Sequence, residues 1–386
     1  MIYFYSTLST LTYAMLRLRY LALCAVLLLI LLLAACGSDE PIVDTNAPDV
    51  DLVAIDYAPS AYVIEAPSYF PAMDVPADNP VTQQGVALGR MLFYDPILSD
   101  DGSMACASCH APSLSFTDGL ARSPGVTGEL SRRNSMSLLN IGYVKSNLMW
   151  DGQTGSLEDQ ALLPVADPIE LHSTWPEAVQ RIRDAEIYPV MFREAFGIER
   201  RAEITPDLVV KAIAQFERTL VSSGNSKFDR VTRGEEFYTD DELNGFDMFF
   251  DVSPNLPDAE CGHCHAGNLL TIDEFFNNGL DPATTLDDFT DKGLGGVTGK
   301  VTDNGKFRAP TLRNITLTAP YMHDGRFQTL EEVIDHYNDG GHYSPNLDPL
   351  IKPIGLNAEQ KAQLIAFLRT LEDPDFVEDE RYQSPF

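Results

Sequence analysis

The chain has 386 residues, 57 of them acidic and 27 basic, for a formal net charge of −30 at pH 7. That balance weighs against nucleic acid as a partner and toward a basic redox protein such as a small cytochrome. An adaptation of solubility or salt tolerance accounts for it equally well.

In chain order the first signal is a leader. Leu21 to Ala35 is an unbroken apolar run behind Arg17 and Arg19, and it closes on Leu33-Ala34-Ala35-Cys36. The run is short for a membrane span and reads as the core of an export signal over residues 1–36. Its end resembles a bacterial lipobox, so Cys36 is expected to be lipidated and to become the first residue of the exported protein. No later stretch approaches spanning length, which leaves a soluble body tethered to a bacterial membrane, in the periplasm or cell envelope. The exported part keeps all 57 acidic residues and 25 of the 27 basic ones. At about 350 residues it has room for two domains.

Residues 37–64 are acidic and interrupted by proline, and are expected to form a flexible tether. Beyond them the patterns are mostly helical: Thr82 to Phe93, Ser156 to Leu163, Trp175 to Ala185, Tyr188 to Phe196, Thr205 to Val221, Asp240 to Phe250, Leu330 to Tyr337 and Asn357 to Leu371. Thr205-Pro206 is a cap followed by proline at the first helical position. Strand-like alternation is scarce.

Two pentapeptides carry the chemistry: Cys106-Ala-Ser-Cys109-His110 and Cys261-Gly-His-Cys264-His265. C-x-x-C-H is the attachment signature of c-type haem. The two thiols add to the porphyrin vinyl groups, and the adjacent His falls under the iron as its proximal ligand. A structural zinc site usually draws its Cys pairs from one small module, whereas these lie about 150 residues apart. A redox dithiol belongs beside a βαβ pattern, and none is visible. The expected fold is therefore mostly α: two cytochrome c-like domains, residues 65–225 and 226–386, each built around one covalently bound haem c.

The segments around these motifs are more specific. LGRMLFYDPILS, FTDG, RRNSMSLLN, MWDGQTGSLEDQALLP and FRAPTLRNITLTAPYMHDGRFQTLEEVIDHY resemble the bacterial di-haem cytochrome c peroxidase and MauG family, over nearly all of Pro71 to Phe386. The resemblance implies two haem domains packed face to face with a calcium ion between them. It places Glu170 above the first haem as proton shuttle, with Gln160 to hydrogen-bond the bound oxygen species and Pro164 to shape the pocket. Trp150 matches the residue that lies between the haems.

Better-known members close the first iron with a loop His, but no His occurs between Ala111 and Leu171 here. Thr127 stands at that place, so an open or water-ligated first iron is expected. Met136 and Met149 read as packing residues, and His172 as a surface residue. For the second iron, counting seventeen residues from Pro320 gives Tyr337 as distal ligand, with Met322 as the alternative; His323 would then line the haem edge. His263 is expected to face solvent. Asn134, Thr318 and Pro320 match the calcium site.

Three functions follow from these readings. The first is a peroxidase reducing hydrogen peroxide with electrons from a small donor, cytochrome c or a cupredoxin. The second is a MauG-like oxidase that modifies a residue of a partner protein. The third is an electron-transfer cytochrome without catalysis, against which Glu170, Gln160 and an open iron argue. A homodimer is compatible with all three.

Overall fold

Side-chain caps set most helix starts. Among the described residues, eight helices have ten residues or more, and seven of them open on a Ser, Thr or Asn whose side chain accepts a backbone N–H of the first turn. These are donors the helix cannot satisfy internally. In chain order the helices are α1 (Gln83–Tyr94), α2 (Leu157–Ala166), α3 (Trp175–Asp184), α4 (Ile187–Phe196), α5 (Pro206–Glu217), α6 (Lys227–Thr232), α7 (Asp240–Phe249), α8 (Leu294–Thr298), α9 (Leu330–Asp339), α10 (Ala358–Arg369) and α11 (Pro374–Glu378). Strand is confined to one two-residue antiparallel pair, β1 (Phe275–Phe276) with β2 (Phe307–Arg308).

The structure is a computed structural model that describes residues 52–386. The leader, Cys36 and residues 37–51 of the expected tether lie outside the described residues. The last part of that tether is not loose. Leu52 is buried and donates to the Glu199 carbonyl, Arg193 Nε donates to the Ile55 carbonyl, and Ala61 pairs with Thr82. An acidic, proline-broken composition predicted a spacer, but the apolar Leu52 and Ile55 within it found a core to join.

The helices fall around two aromatic-rich cores. In the first, α1 crosses α5 so closely that a Cβ on Gly89 would meet the Ala212 carbonyl at 1.9 Å. Phe93, Phe116, Phe192 and Phe216 fill that core. In the second, α7 crosses α10 the same way: a Cβ on Gly245 would lie 2.1 Å from the Gln363 carbonyl. Phe367 sits at the centre there, against the rings of Phe228, Phe246, Phe249 and Phe250. A glycine at each crossing lets two backbones approach where any side chain would hold them apart.

Two helices depart from the sequence expectation. α5 stops at Glu217 because Thr219 bonds back to the Phe216 carbonyl through both its N–H and its hydroxyl, at 2.9 and 2.6 Å. Such local bonding competes with the helical ladder. α2 runs through Pro164 to Ala166. Proline has no N–H to give the Gln160 carbonyl, and the chain turns back at Asp167 shortly after.

Candidate active site

Each C-x-x-C-H run forms one tight 3₁₀ turn, Cys106–Ser108 and Cys261–His263, and in both the His N–H donates to the carbonyl of the first Cys. All four thiols are free, so none is diverted into a disulfide. The loop behind each motif then bends through the left-handed region at residues other than glycine, Ser115 and Phe116 in the first and Leu270 in the second. Backbone held there needs over-determining surroundings and often marks a functional site.

These bends aim carbonyls at the histidines. His110 Nδ1 donates to the Phe116 carbonyl at 2.9 Å, and His265 Nδ1 reaches the carbonyls of Pro310 at 3.1 Å and Leu270 at 3.3 Å. With Nδ1–H committed to a carbonyl, Nε2 is the unprotonated nitrogen of each ring, as an iron-ligating His requires. Burial pushes both imidazoles down, His265 to about 4, which keeps them neutral. Burial likewise pushes the Cys106 and Cys261 thiols up to about 12.

The second motif opens on a cavity of about 230 Å³, more than ten times what one water needs. Cys261, Cys264, His265, Met322 and Tyr337 all line it. Trp150, Asn134, Met136, Thr318, Pro320 and His323 border the same space, so eleven of the residues singled out in the sequence share one cavity. Tyr337, carried on α9, is pushed up to about 12 by burial against the pull of a hydrogen bond from Asn278. Free thiols, neutral histidines anchored through Nδ1 and a cavity with a phenol and a thioether in its wall fit a covalently attached haem.

At the first motif the expected distal groups are grouped by a turn. Gln160 and Pro164 sit four apart on α2, hence on one face. The chain after α2 folds back so that the Leu171 N–H reaches the Pro164 carbonyl at 3.1 Å. Glu170 is fixed in that turn at both ends: its N–H donates to Asp167, and its carbonyl accepts from Val126 at 2.9 Å. Gly125 makes this contact feasible, since a Cβ there would strike the Ile169 carbonyl at 1.6 Å. Burial raises the Glu170 carboxyl above its ordinary range, with Asp167 adding and Arg132 opposing. Its charge also bears on both Cys106 and Cys109, which places it beside the first motif. Thr127 sits exposed at the tip of the loop held by Val126, its hydroxyl turned to the Glu129 N–H at 3.4 Å.

Trp150 is anchored where the two regions meet. Its Nε1 donates to the Asn134 carbonyl at 2.9 Å, its own carbonyl accepts from Arg308, and Asn134 N–H donates to His323. His323 is buried and stacked on Phe307 at 3.6 Å. His263 is exposed beside Asp258 and Glu260. His172 is exposed near Asp100.

Comparison with known proteins identifies the family. The family model described as di-haem cytochrome c peroxidase matches residues 83–237. The methylamine utilization protein MauG of Methylorubrum extorquens is 37% identical over 297 residues, covering 77% of this chain and 80% of that protein. The chain belongs to the di-haem cytochrome c peroxidase/MauG family. Cytochrome c551 peroxidase of Nitrosomonas europaea, also of this family, is 34% identical over 310 residues, 79% of this chain and 86% of its own length. Among solved structures, a MauG-like protein associated with microbial copper homeostasis matches with a TM-score of 0.78 and 36% identity, over 84% of this chain and 99% of that one. The family is di-haem, which accords with the paired motifs.

Sequence reading missed the supporting residues of this di-haem family site. Asn278 contacts both Tyr337 and Met322, and Pro310 supplies a carbonyl to His265. Pro310 lies inside the quoted FRAPTLRN run, so its neighbourhood was visible but its carbonyl was not. Asn278 carried no signal beyond an Asn-Asn-Gly turn.

Proposed function

We propose that the chain is a di-haem peroxidase that reduces hydrogen peroxide to water with electrons from a small redox protein, cytochrome c or a cupredoxin. In this reading each half, 65–225 and 226–386, is a cytochrome c-like domain around one haem c. Cys106, Cys109 and His110 hold the first, and Cys261, Cys264 and His265 the second. The observation that carries it is the unequal surroundings of the two motifs. Tyr337 and Met322 stand in the cavity wall of the second, whereas a carboxyl raised by burial, Glu170, stands beside the first.

The haem supplies the redox centre at which peroxide is bound and reduced. Glu170 takes a proton from the inner peroxide oxygen and returns it to the outer one, a task that suits a carboxyl with a raised pKa. Gln160 would donate a hydrogen bond to the peroxide, and Pro164 would narrow its pocket. Trp150 bridges the two sites. Tyr337 would ligate the second iron, with Met322 as the alternative. Asn134, Thr318 and Pro320, which border one cavity, offer hard oxygen ligands suited to calcium. Lipidation at Cys36 holds the protein at the cell envelope.

The second reading, a MauG-like oxidase modifying a partner protein, is favoured by Tyr337, because a phenolate ligand stabilises oxidised iron. Low-temperature electron paramagnetic resonance of the resting ferric protein, with steady-state peroxide turnover by reduced cytochrome c, tests both. One high-spin and one low-spin signal with rapid cytochrome oxidation are expected. Two low-spin signals would overturn the open first site. The expected resting signals without donor oxidation would move the assignment to the MauG-type reaction.

A further inference from the structure

Asn278 touches both candidate distal ligands of the second site. Its Nδ2 donates to the Tyr337 hydroxyl at 3.1 Å and lies 3.5 Å from the Met322 sulfur. The backbone that carries this amide is held firmly. The Asn278 carbonyl accepts from Nε2 of His336, Tyr337's neighbour on α9, at 3.0 Å. The following Gly279 accepts the His342 N–H at 2.7 Å, and the preceding Asn277 is buried and bonded to Ser344 and Asn346. Residues 277–279 are thus stitched to α9 and to the loop after it, and Asn278 is a fixed donor rather than a loose surface amide.

We propose that Asn278 is a positioning residue that keeps Tyr337, in preference to Met322, on the iron of the second haem. The proposal rests on the reading of Tyr337 as distal ligand. A tyrosine that binds iron releases its proton to solvent and becomes a phenolate, whose oxygen gives one lone pair to the metal and keeps others to accept a hydrogen bond. A bond to an ionised acceptor is about twice as strong as a neutral one. The Met322 thioether is uncharged and a weak acceptor, so the same donor gives it little. Asn278 therefore favours bound phenolate over released phenol, and Tyr337 over Met322.

The test is a titration of the fully oxidised holoprotein with imidazole, followed by electron paramagnetic resonance, in which imidazole filling the first iron serves as internal control. In Asn278→Leu the imidazole concentration that displaces Tyr337 falls roughly tenfold, the loss of one hydrogen bond to a charged group, while the first-site midpoint stays fixed. Asn278→Asp, which sets a carboxylate against the phenolate, lowers it further. An unchanged second midpoint in Asn278→Leu overturns the proposal. So does an equal shift at both sites, which would report a general loosening of the fold. Tyr337→Phe checks the underlying assignment separately. If the resting low-spin signal survives that change and vanishes in Met322→Leu, the ligand assignment fails, and the Asn278 proposal with it.

Discussion

The near sides of the two C-x-x-C-H motifs are almost copies of one another, and their far sides share nothing. Both motifs form a 3₁₀ turn, both are followed by a left-handed bend, and both histidines are anchored through Nδ1 to a carbonyl. At the second, α9 and the Tyr321–Met322 segment bring a phenol and a thioether to the wall of the cavity that Cys261, Cys264 and His265 also line. Beside the first, a turn pinned between α2 and the Gly125–Thr127 loop brings a half-buried carboxyl. Attachment is thus written in five residues, whereas the difference in role is written in segments 60 to 80 residues further along the chain. Under the proposed function, that variation on one shared scaffold is what gives the two irons different work.

The sharpest way to break that comparison is to exchange the consequences of Glu170 and Tyr337. Glu170→Gln should lower peroxide turnover by about 10²–10⁴-fold, the usual worth of a positioned proton-transfer group, and leave the low-spin signal of the second haem untouched. Tyr337→Phe should change that signal and leave the first haem's high-spin signal in place. The pH profile gives a second check. Glu170 must be ionised to accept a proton, and its carboxyl is raised above the ordinary 4.5. Turnover should therefore decline with acid at a pH above that value, and Glu170→Gln should abolish this limb. A variant that keeps the limb would assign it to another group.

Two bidentate Arg–carboxylate pairs, one in each half, differ in depth. Arg313 meets both oxygens of Asp229 at 2.8 and 2.9 Å with both side chains fully buried. Arg218 meets Glu158 at the same distances, but the Glu158 side chain remains 14% exposed. Asp229→Ala strands a buried guanidinium and should cost about 3–5 kcal/mol. Glu158→Ala leaves Arg218 nearer to water and should cost about 1–3 kcal/mol. Denaturant unfolding of the two variants measures both, and equal losses would show that depth is not what separates the pairs. The Asp229 carboxyl is held below its ordinary range by Arg313 and Ser226 against the opposing effect of burial. Its stabilisation is present above the unfolded pKa and is lost as pH falls through the lower folded one.

How much of this was legible in the sequence follows the same division. The haem motifs were plain because their chemistry is local, and the seven capped helices because Thr, Ser and Asn mark their starts. The short helices α6, α8 and α11 were not foreseen; each spans six residues or fewer, too few for a hydrophobic period to show. Glu170 was found only through a family resemblance, since a single Glu in Asp-Pro-Ile-Glu-Leu has no signature of burial. Arg313 and Asp229 lie 84 residues apart, and in sequence each is an ordinary surface charge. Long-range pairing is set by how the cores pack, and nothing in either residue's own neighbourhood records it.

A pH-dependent effect concerns a group only the first half contains. Among the described residues, the buried carboxylate oxygens without a hydrogen-bond partner are those of Asp118 and Glu217, both before residue 225. Glu217 ends α5, is 5% exposed and bears on the Cys106 thiol. Burial raises its pKa from 4.5 to about 8, with Arg218 opposing. Below 4.5 the folded and unfolded chains both hold this proton, so it does not affect stability. Between 4.5 and 8 the unfolded chain releases the proton while the folded one keeps it. Stability therefore falls as pH rises through this window, by on the order of 1 kcal/mol per pH unit, and levels off above it. Glu217→Gln cannot ionise and should remove that slope, so that its advantage over the parent protein widens steadily from mildly acidic to mildly alkaline solution. Thermal unfolding across that range measures it. Parallel curves would mean that the folded chain releases the proton as readily as the unfolded one. The first site would then carry a further negative charge at neutral pH, and Glu170 would not be its only carboxyl to reckon with.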